Sequence, residues 1–284
     1  MGAKEQLLAH FDSLSPKQRA AARFVIDHPN EVVICSMRTL AERAGAQPAT
    51  LVRLAQQIGY AGWPALKTAF ATDLGLHTGS YGQRAKSLTA RGSSTDLLSE
   101  MFEAQRHNLS TTKAECAGVL REAAHLLRHA RAVHVAGFRA SYPMAYALVY
   151  GYRLFRDSVH LLDGHGGGLE MQLRPVQNRD VVVIISFAPY SRECMAVIQA
   201  AQAAGASILA ITDSAASPPA LAAELSILFS VASPSFFPSV GAGLAVIEAL
   251  LALLVAESGA SVVQRIHQSE QSLMDSGAYL PAPR

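Results

Sequence analysis

Cysteine, aromatic residues and charge are all scarce in this 284-residue chain. Its three cysteines, Cys35, Cys116 and Cys194, are an odd number with no C-x-x-C spacing. That excludes a disulfide framework and a zinc ribbon, and points to a reducing compartment. Aromatics make up 7% and charged residues 16%, while half the residues are hydrophobic. A largely disordered chain is therefore excluded, and small aliphatics on helices are expected to build the core. One near-continuous apolar run, Val240 to Ala256, carries Glu248 at its centre. It falls short of the ~20 residues a membrane span needs, so it reads as a buried core or dimer helix. Met1 to Glu5 lacks the apolar core of a signal peptide. These absences together predict a cytoplasmic protein with no membrane partner.

Specialised chemistry is sparse too. There is no His-Glu-x-x-His, and His160 and His165 stand without further ligands at fitting spacing, so no metal is expected. The run Gly164-His165-Gly166-Gly167-Gly168 reads as a loop at a pocket mouth. It does not supply a G-x-G-x-x-G fingerprint after a strand, and no cofactor is expected.

What is present begins with length, enough for two ordinary domains of about 100–200 residues. Net charge is only +2, but it is unevenly spread: residues 1–131 carry +5 and the remainder −3. The front part is thus suited to meeting an anion.

Two different grammars follow. Up to about residue 77 the pattern is short helices. Ser15-Pro16-Lys17-Gln18 combines a capping serine, a first-turn proline and a possible capping-box glutamine. Ala20, Ala21, Phe24 and Val25 then recur at helical spacing until His28-Pro29. Further helices are predicted from Ser36 to Ala44, from Gln47 to Ile58, and from Pro64 through Leu74. Gly75, Gly79, Ser80, Gly82, Gly92, Ser93 and Ser94 mark residues 75–95 as a linker, with helical patterning again at Leu97–Leu109 and Val119–Leu127.

From residue 132 strands alternate with helices. Ala132–Ala136, Val159–Leu162, Val181–Ser186, Ser207–Ile211 and Leu225–Phe229 are rich in Val, Ile and Leu. Between and after them lie helical stretches at Tyr142–Phe155, Leu169–Arg174, Arg192–Ala204, Pro219–Ala223 and Val240–Ala256, with weaker patterning over Ser261–Ala278. Strands apolar on both faces imply a parallel sheet covered by helices. The expected organisation is an all-α helix-turn-helix domain at 1–77, a linker with a helix at 78–117, and an α/β domain with a five-stranded parallel sheet at 118–284.

The segment from Leu40 to Arg53 has the anatomy of a helix-turn-helix: Ala41 as the small contact, Gly45 as the turn and Leu51 as the inner anchor. Gln47, Thr50 and Arg53 would share the outer face of its second helix. Gln can bond adenine, Arg can bond guanine or phosphate, and Thr with the helix N-terminus suits a phosphate. Arg38 and Lys67 add basic charge. A solvated helical hairpin is the competing explanation. Trp63 is expected to pack between helices.

In the rear part, two loops follow strands and open helices: Gly137-Phe138-Arg139-Ala140-Ser141 and Ser186-Phe187-Ala188-Pro189-Tyr190-Ser191-Arg192-Glu193. Ligands of open parallel sheets settle at such strand ends, where helix amides favour anions. Gly137, Arg139, Ser141, Ser186, Tyr190, Ser191 and Arg192 are the candidate effector contacts, with plain helix capping the alternative for Ser141 and Ser191. No catalytic residue is expected.

With these motifs in order, the whole chain resembles RpiR-type bacterial transcription regulators, which join a helix-turn-helix to a sugar isomerase (SIS) domain. The front match rests on Ser15-Pro16, Ser36-Met37, Leu40-Ala41, Ala44-Gly45, Thr50-Leu51-Val52-Arg53 and Gly59-Tyr60-Ala61-Gly62-Trp63. The rear match rests on Gly137, Ser141, Ser186, Tyr190-Ser191-Arg192-Glu193, Ala203-Ala204-Gly205-Ala206, Ile211-Thr212-Asp213 and Ser217-Pro218. The resemblance implies a homodimer, perhaps pairing to a tetramer, that binds operator DNA and answers a sugar phosphate or related small anion. The usual phosphate loop, Ser-x-Ser-Gly-x-Thr, is altered here: Ala188 and Pro189 stand for its second Ser and its Gly, which removes one hydroxyl and one N–H. A SIS-fold isomerase with an accessory helical domain is the alternative. Isomerisation needs a general base, though, and Glu193 is the one carboxylate within these loops.

Overall fold

The computed structural model describes residues 2–34, 37–73, 80–92 and 96–280. Cys35, Ser36, Leu74, Gly75, Gly79, Ser93 and Ser94 lie outside the described residues. The chain divides into two compact units, one ending at Gln83 and the other starting at Arg84.

The front unit is wholly helical among the described residues: α1 (Ala3–Ala9), α2 (Pro16–Asp27), α3 (Pro29–Ile34), α4 (Met37–Arg43), α5 (Pro48–Gln57) and α6 (Trp63–Asp73). The capping box at the start of α2 is present: the Gln18 N–H donates to Ser15 Oγ at 3.4 Å, and the Ser15 N–H to Gln18 Oε1 at 3.1 Å. Pro29 does more than end α2, since it opens α3, whose first turn tolerates the missing N–H. Helix α1, also without a clear signal in the sequence, is held at its start by the Ala3 N–H donating to Asp73 at 2.5 Å. Leu7, Leu14, Val25, Leu40, Leu51, Leu54, Leu66, Phe70 and Trp63 form one core. Each such large side chain contributes about 1.5–3 kcal/mol by burial.

The rear unit carries the parallel sheet of β1 (Val133–Gly137), β2 (Val159–Leu162), β3 (Val181–Ser186), β4 (Ser207–Thr212) and β5 (Leu225–Leu228), in the order β2-β1-β3-β4-β5. Every pair is parallel, and the predicted strands match within a residue at each end. Because side chains alternate along a strand, the sheet feeds two cores. Val133, Val135, Val181, Val183, Ile185, Leu209 and Ile211 face one side. They are covered there by α9 (Val119–His129), α10 (Tyr142–Arg153) and α14 (Gly241–Ala256). Ala136, Leu162, Val182, Ile184 and Ile208 face the other, towards α11 (Leu169–Leu173), α12 (Arg192–Ala203) and α13 (Pro218–Ala222). The apolar run flagged in the sequence is α14: Ala242, Val246, Ile247, Leu250 and Leu254 are buried and Glu248 is exposed. No single helix among the described residues is long and apolar enough to cross a membrane. The weakly patterned C-terminal stretch is α15 (Ala260–Asp275), which has no buried residue.

The predicted linker is more ordered than its composition suggests. Residues 81–90 form α7 (Tyr81–Ala90), and α8 runs from Leu97 to Cys116. Arg84 on α7 donates to the carbonyls of Ser233 and Ser235 at 3.3 and 2.8 Å. On α8, Asn108 is wholly buried; its amide donates to the Ala232 carbonyl and its oxygen accepts from the Ser230 hydroxyl, both at 2.7 Å. Thr112 Oγ1 accepts from the Ser230 N–H at 2.9 Å. A polar stripe on α8 thus anchors the loop after β5, which makes the helix part of the rear unit.

Candidate functional site

Two regions gather the residues singled out in the sequence. The first is the α4–α5 pair. Helix α4 ends at Gly45, whose φ of +62° is a conformation that favours glycine. The Ala46 N–H reaches back to the Ala41 carbonyl at 2.8 Å and the Gly45 N–H to Glu42 at 3.1 Å, a Schellman closure. Ala41 is fully buried against α5, as a small contact residue should be. Leu51, Leu54 and Ala55 turn inward, leaving Gln47 and Arg53 exposed and Thr50 half-buried on the opposite face of α5. Gln47 occupies the N-cap position, but its side chain makes no capping bond, so the amide is available outward. Arg38 is exposed on α4, and Lys67 is half-buried on α6. Trp63 is buried in the core.

The second region is the crevice at the carboxyl ends of β1 and β3. The chain runs from β1 to β2 on one side and returns to β3 on the other, so this is the sheet's switch point, where strand-end loops separate and leave room for a ligand. The loop after β1 is tightly built. A Cβ at Gly137 would lie 2.6 Å from the Ala145 Cβ and 2.9 Å from the Ser141 carbonyl oxygen, so α10 can pack this closely only over a glycine. Arg139 sits at φ +53°, at a cost of about 1–2 kcal/mol for a side chain with a Cβ. Its exposed guanidinium donates to Glu193 Oε1 at 3.2 Å. Ser141 is buried and precedes α10, yet its hydroxyl does not cap that helix.

The loop after β3 is occupied by its own partners. Ser191 caps α12, accepting from the Cys194 N–H at 3.2 Å, so the capping explanation holds there. Ser186 is buried beside Cys194. Burial pushes that thiol up to about 11, and the Ser186 hydroxyl offsets only part of the effect, which marks Cys194 as an inert core residue. The Ala188 N–H donates to Asp213 Oδ2 at 3.1 Å, and the Tyr190 hydroxyl donates to Asp213 Oδ1 at 2.9 Å. Tyr190 is raised well above its ordinary value by burial and by the Asp213 charge. Asp213 is also raised, by burial, against the opposing pull of the Ala188 amide and Tyr190. Glu193, by contrast, is held low, first by its own backbone N–H and also by Arg139. Arg192 is exposed at the first position of α12. The Gly-rich turn flanks the crevice after β2. It is held by Gln172 Oε1, which accepts from the Asp163 and Gly164 N–H groups at 3.1 and 2.9 Å.

Gly137, Arg139, Ser141, Ser186, Tyr190, Ser191 and Arg192 therefore converge on one crevice. The residue that organises its second loop, Asp213, carried a sequence signal only as part of Ile211-Thr212-Asp213 at a strand end. Among the described residues no group of three or more His, Cys, Asp or Glu is arranged to hold a metal ion.

Comparison with known proteins agrees with this division. Residues 1–76 match the model of the helix-turn-helix domain of the rpiR family, and residues 126–256 match the SIS domain. An uncharacterised HTH-type transcriptional regulator of Caldanaerobacter subterraneus is 25% identical over 270 residues, 92% of this chain and 93% of that one. The HTH-type transcriptional regulator HexR of Pseudomonas aeruginosa is 26% identical over 225 residues, 78% and 76% of the two chains. The fold is shared with the Vibrio vulnificus NanR protein, solved in complex with ManNAc-6P. That likeness has a TM-score of 0.60 at 17% identity, covering 98% of this chain and all of that one.

Proposed function

We infer a DNA-binding regulator from the premise that this chain belongs to the RpiR family, joining an rpiR-type helix-turn-helix domain to a SIS domain. It is a transcriptional regulator whose front unit grips an operator and whose rear unit senses a small carbohydrate-derived metabolite. The observation that carries the DNA half is the outer face of α5, where Gln47, Thr50 and Arg53 project from a helix anchored by Leu51 and Leu54. Arg38 and Lys67 supplement its charge with phosphate contacts. The relatives matched along both domains are named as regulators, which supports regulation over sugar isomerisation.

In a homodimer, two such helices would enter successive major grooves about 34 Å apart. A ligand that binds one arrangement of the rear unit better than another changes operator affinity by that difference in binding energy. The β1/β3 crevice is the effector site, and the NanR complex with ManNAc-6P supports a sugar phosphate or a related small anion as the ligand class.

Mobility-shift titration against genomic fragments at fixed salt tests the reading. Arg53→Ala is expected to weaken operator binding by about 1–3 kcal/mol if Arg53 reads a base. Unchanged affinity removes Arg53 from the reading set. Failure of the wild type to shift any fragment at low ionic strength ends the regulator assignment.

A further inference from the structure

The reading of the β1/β3 crevice as the effector site can be taken one step further, to the chemistry of the ligand. A phosphate at a strand–helix loop is bound by loop N–H groups, hydroxyls and the helix N-terminus. Here those groups already have partners. The Ala188 N–H and the Tyr190 hydroxyl both donate to the Asp213 carboxylate, at 3.1 and 2.9 Å. Pro189 has no N–H to offer. The Ser191 hydroxyl accepts from the Cys194 N–H. At the start of α12, Glu193 places a carboxylate beside its own backbone N–H and pairs with Arg139 at 3.2 Å. The two positions that would receive an anion, the loop amide and the helix N-terminus, therefore each hold a carboxylate of the protein itself.

A second observation gives the complementary side of the match. Glu193 Oε2 is buried and has no hydrogen-bond partner. A carboxylate oxygen needs a donor, which a phosphate dianion cannot supply and a sugar hydroxyl can. Ser141 adds a buried hydroxyl on the facing loop that is not used to cap α10.

We propose that the effector of this crevice is unphosphorylated and polyhydroxylated, a neutral sugar or polyol, with Asp213 and Glu193 serving as resident anions that exclude a phosphoryl group. Ligand hydroxyls donate to these carboxylates, and Arg139 stays paired with Glu193 instead of clamping a ligand anion. Phosphate is excluded because a dianion would be set against two carboxylates with no free loop amide to offset the repulsion.

The test is calorimetric titration of the full-length protein with inorganic phosphate, glucose 6-phosphate and N-acetylmannosamine 6-phosphate, each sugar phosphate run beside its dephosphorylated form. The wild type is expected to show no saturable binding of any phosphorylated probe. Asp213→Asn keeps an acceptor for Ala188 and Tyr190 but removes the charge, and should bind sugar phosphates roughly tenfold or more tighter than the wild type. Glu193→Gln, on a half-exposed helix start, should move affinity the same way and serves if Asp213→Asn does not fold. Saturable binding of a sugar phosphate by the wild type overturns the proposal. So does a neutralised variant that folds yet binds phosphate no better than the wild type. These titrations involve no DNA, so they stand or fall separately from the operator assay.

Discussion

Replacing Asp180 with alanine tests whether the amino-terminal edge of the sheet is held by one buried carboxylate. Asp180 has no exposed side-chain surface, and its Oδ2 accepts from Arg131 Nη2 at 2.7 Å, His134 Nε2 at 3.0 Å and the Gln177 N–H at 3.0 Å. Removing one partner of a buried charge pair costs about 3–5 kcal/mol. Two features place this site at the lower end. The Arg131 side chain is 45% exposed and can turn to water, while Asp180 Oδ1 and His134 Nδ1 are already buried without partners. About 3 kcal/mol in a unit of this size lowers the melting temperature by about 6–12 °C. The lone tryptophan, Trp63, lies in the front core, so its fluorescence follows that unit while far-UV circular dichroism follows both. The loss should therefore appear in the dichroism transition that tryptophan does not report. A shift under about 3 °C would refute the reasoning. The pH dependence supplies a second check. Burial pushes the Asp180 carboxyl up, but its hydrogen bonds from Arg131, Gln177 and His134 outweigh that and hold it below the ordinary range. Its contribution is complete above the unfolded value of about 4 and is lost as the pH falls through the lower folded value. Asp180→Asn should flatten that part of the acid-stability profile.

Two further substitutions address the geometry that frames the crevice. Gly137→Ala drives a methyl group against the Ala145 Cβ and the Ser141 carbonyl, neither of which can swing aside; a loss of about 1–3 kcal/mol is expected in urea unfolding. Asn108→Leu leaves the Ala232 carbonyl and the Ser230 hydroxyl without their present partner, and should cost about 2–3 kcal/mol. It should also speed proteolysis within residues 230–239, and an unaltered cleavage pattern would show that α8 does not hold that loop.

Much of the architecture was legible in the residue pattern, because β-branched runs between helical periods admit few solutions. The five strands, their parallel sense and the α4–α5 hairpin all follow from local composition and spacing. Three elements were missed for local reasons. Helices α1 and α3 have seven and six residues, too few for periodicity to show, and α7 was hidden by flanking Gly and Ser. Each is too short to be stable alone, so what holds it is packing or a tether such as the Arg84 contacts to the loop after β5.

The candidate site divides along the same line. Sequence alone determined which loops would stand at the strand ends, since turn residues and strand lengths are written in neighbouring positions. It also marked Ser191 as a possible cap, because capping is a three-residue affair. Only the tertiary structure decided that Tyr190 and Ala188 would turn to Asp213, 23 and 25 residues away, and that His134 would meet Asp180, 46 residues on. Those pairings depend on which strands lie side by side and how closely helices press on them. A chain's local preferences do not encode that geometry until the whole sheet has formed.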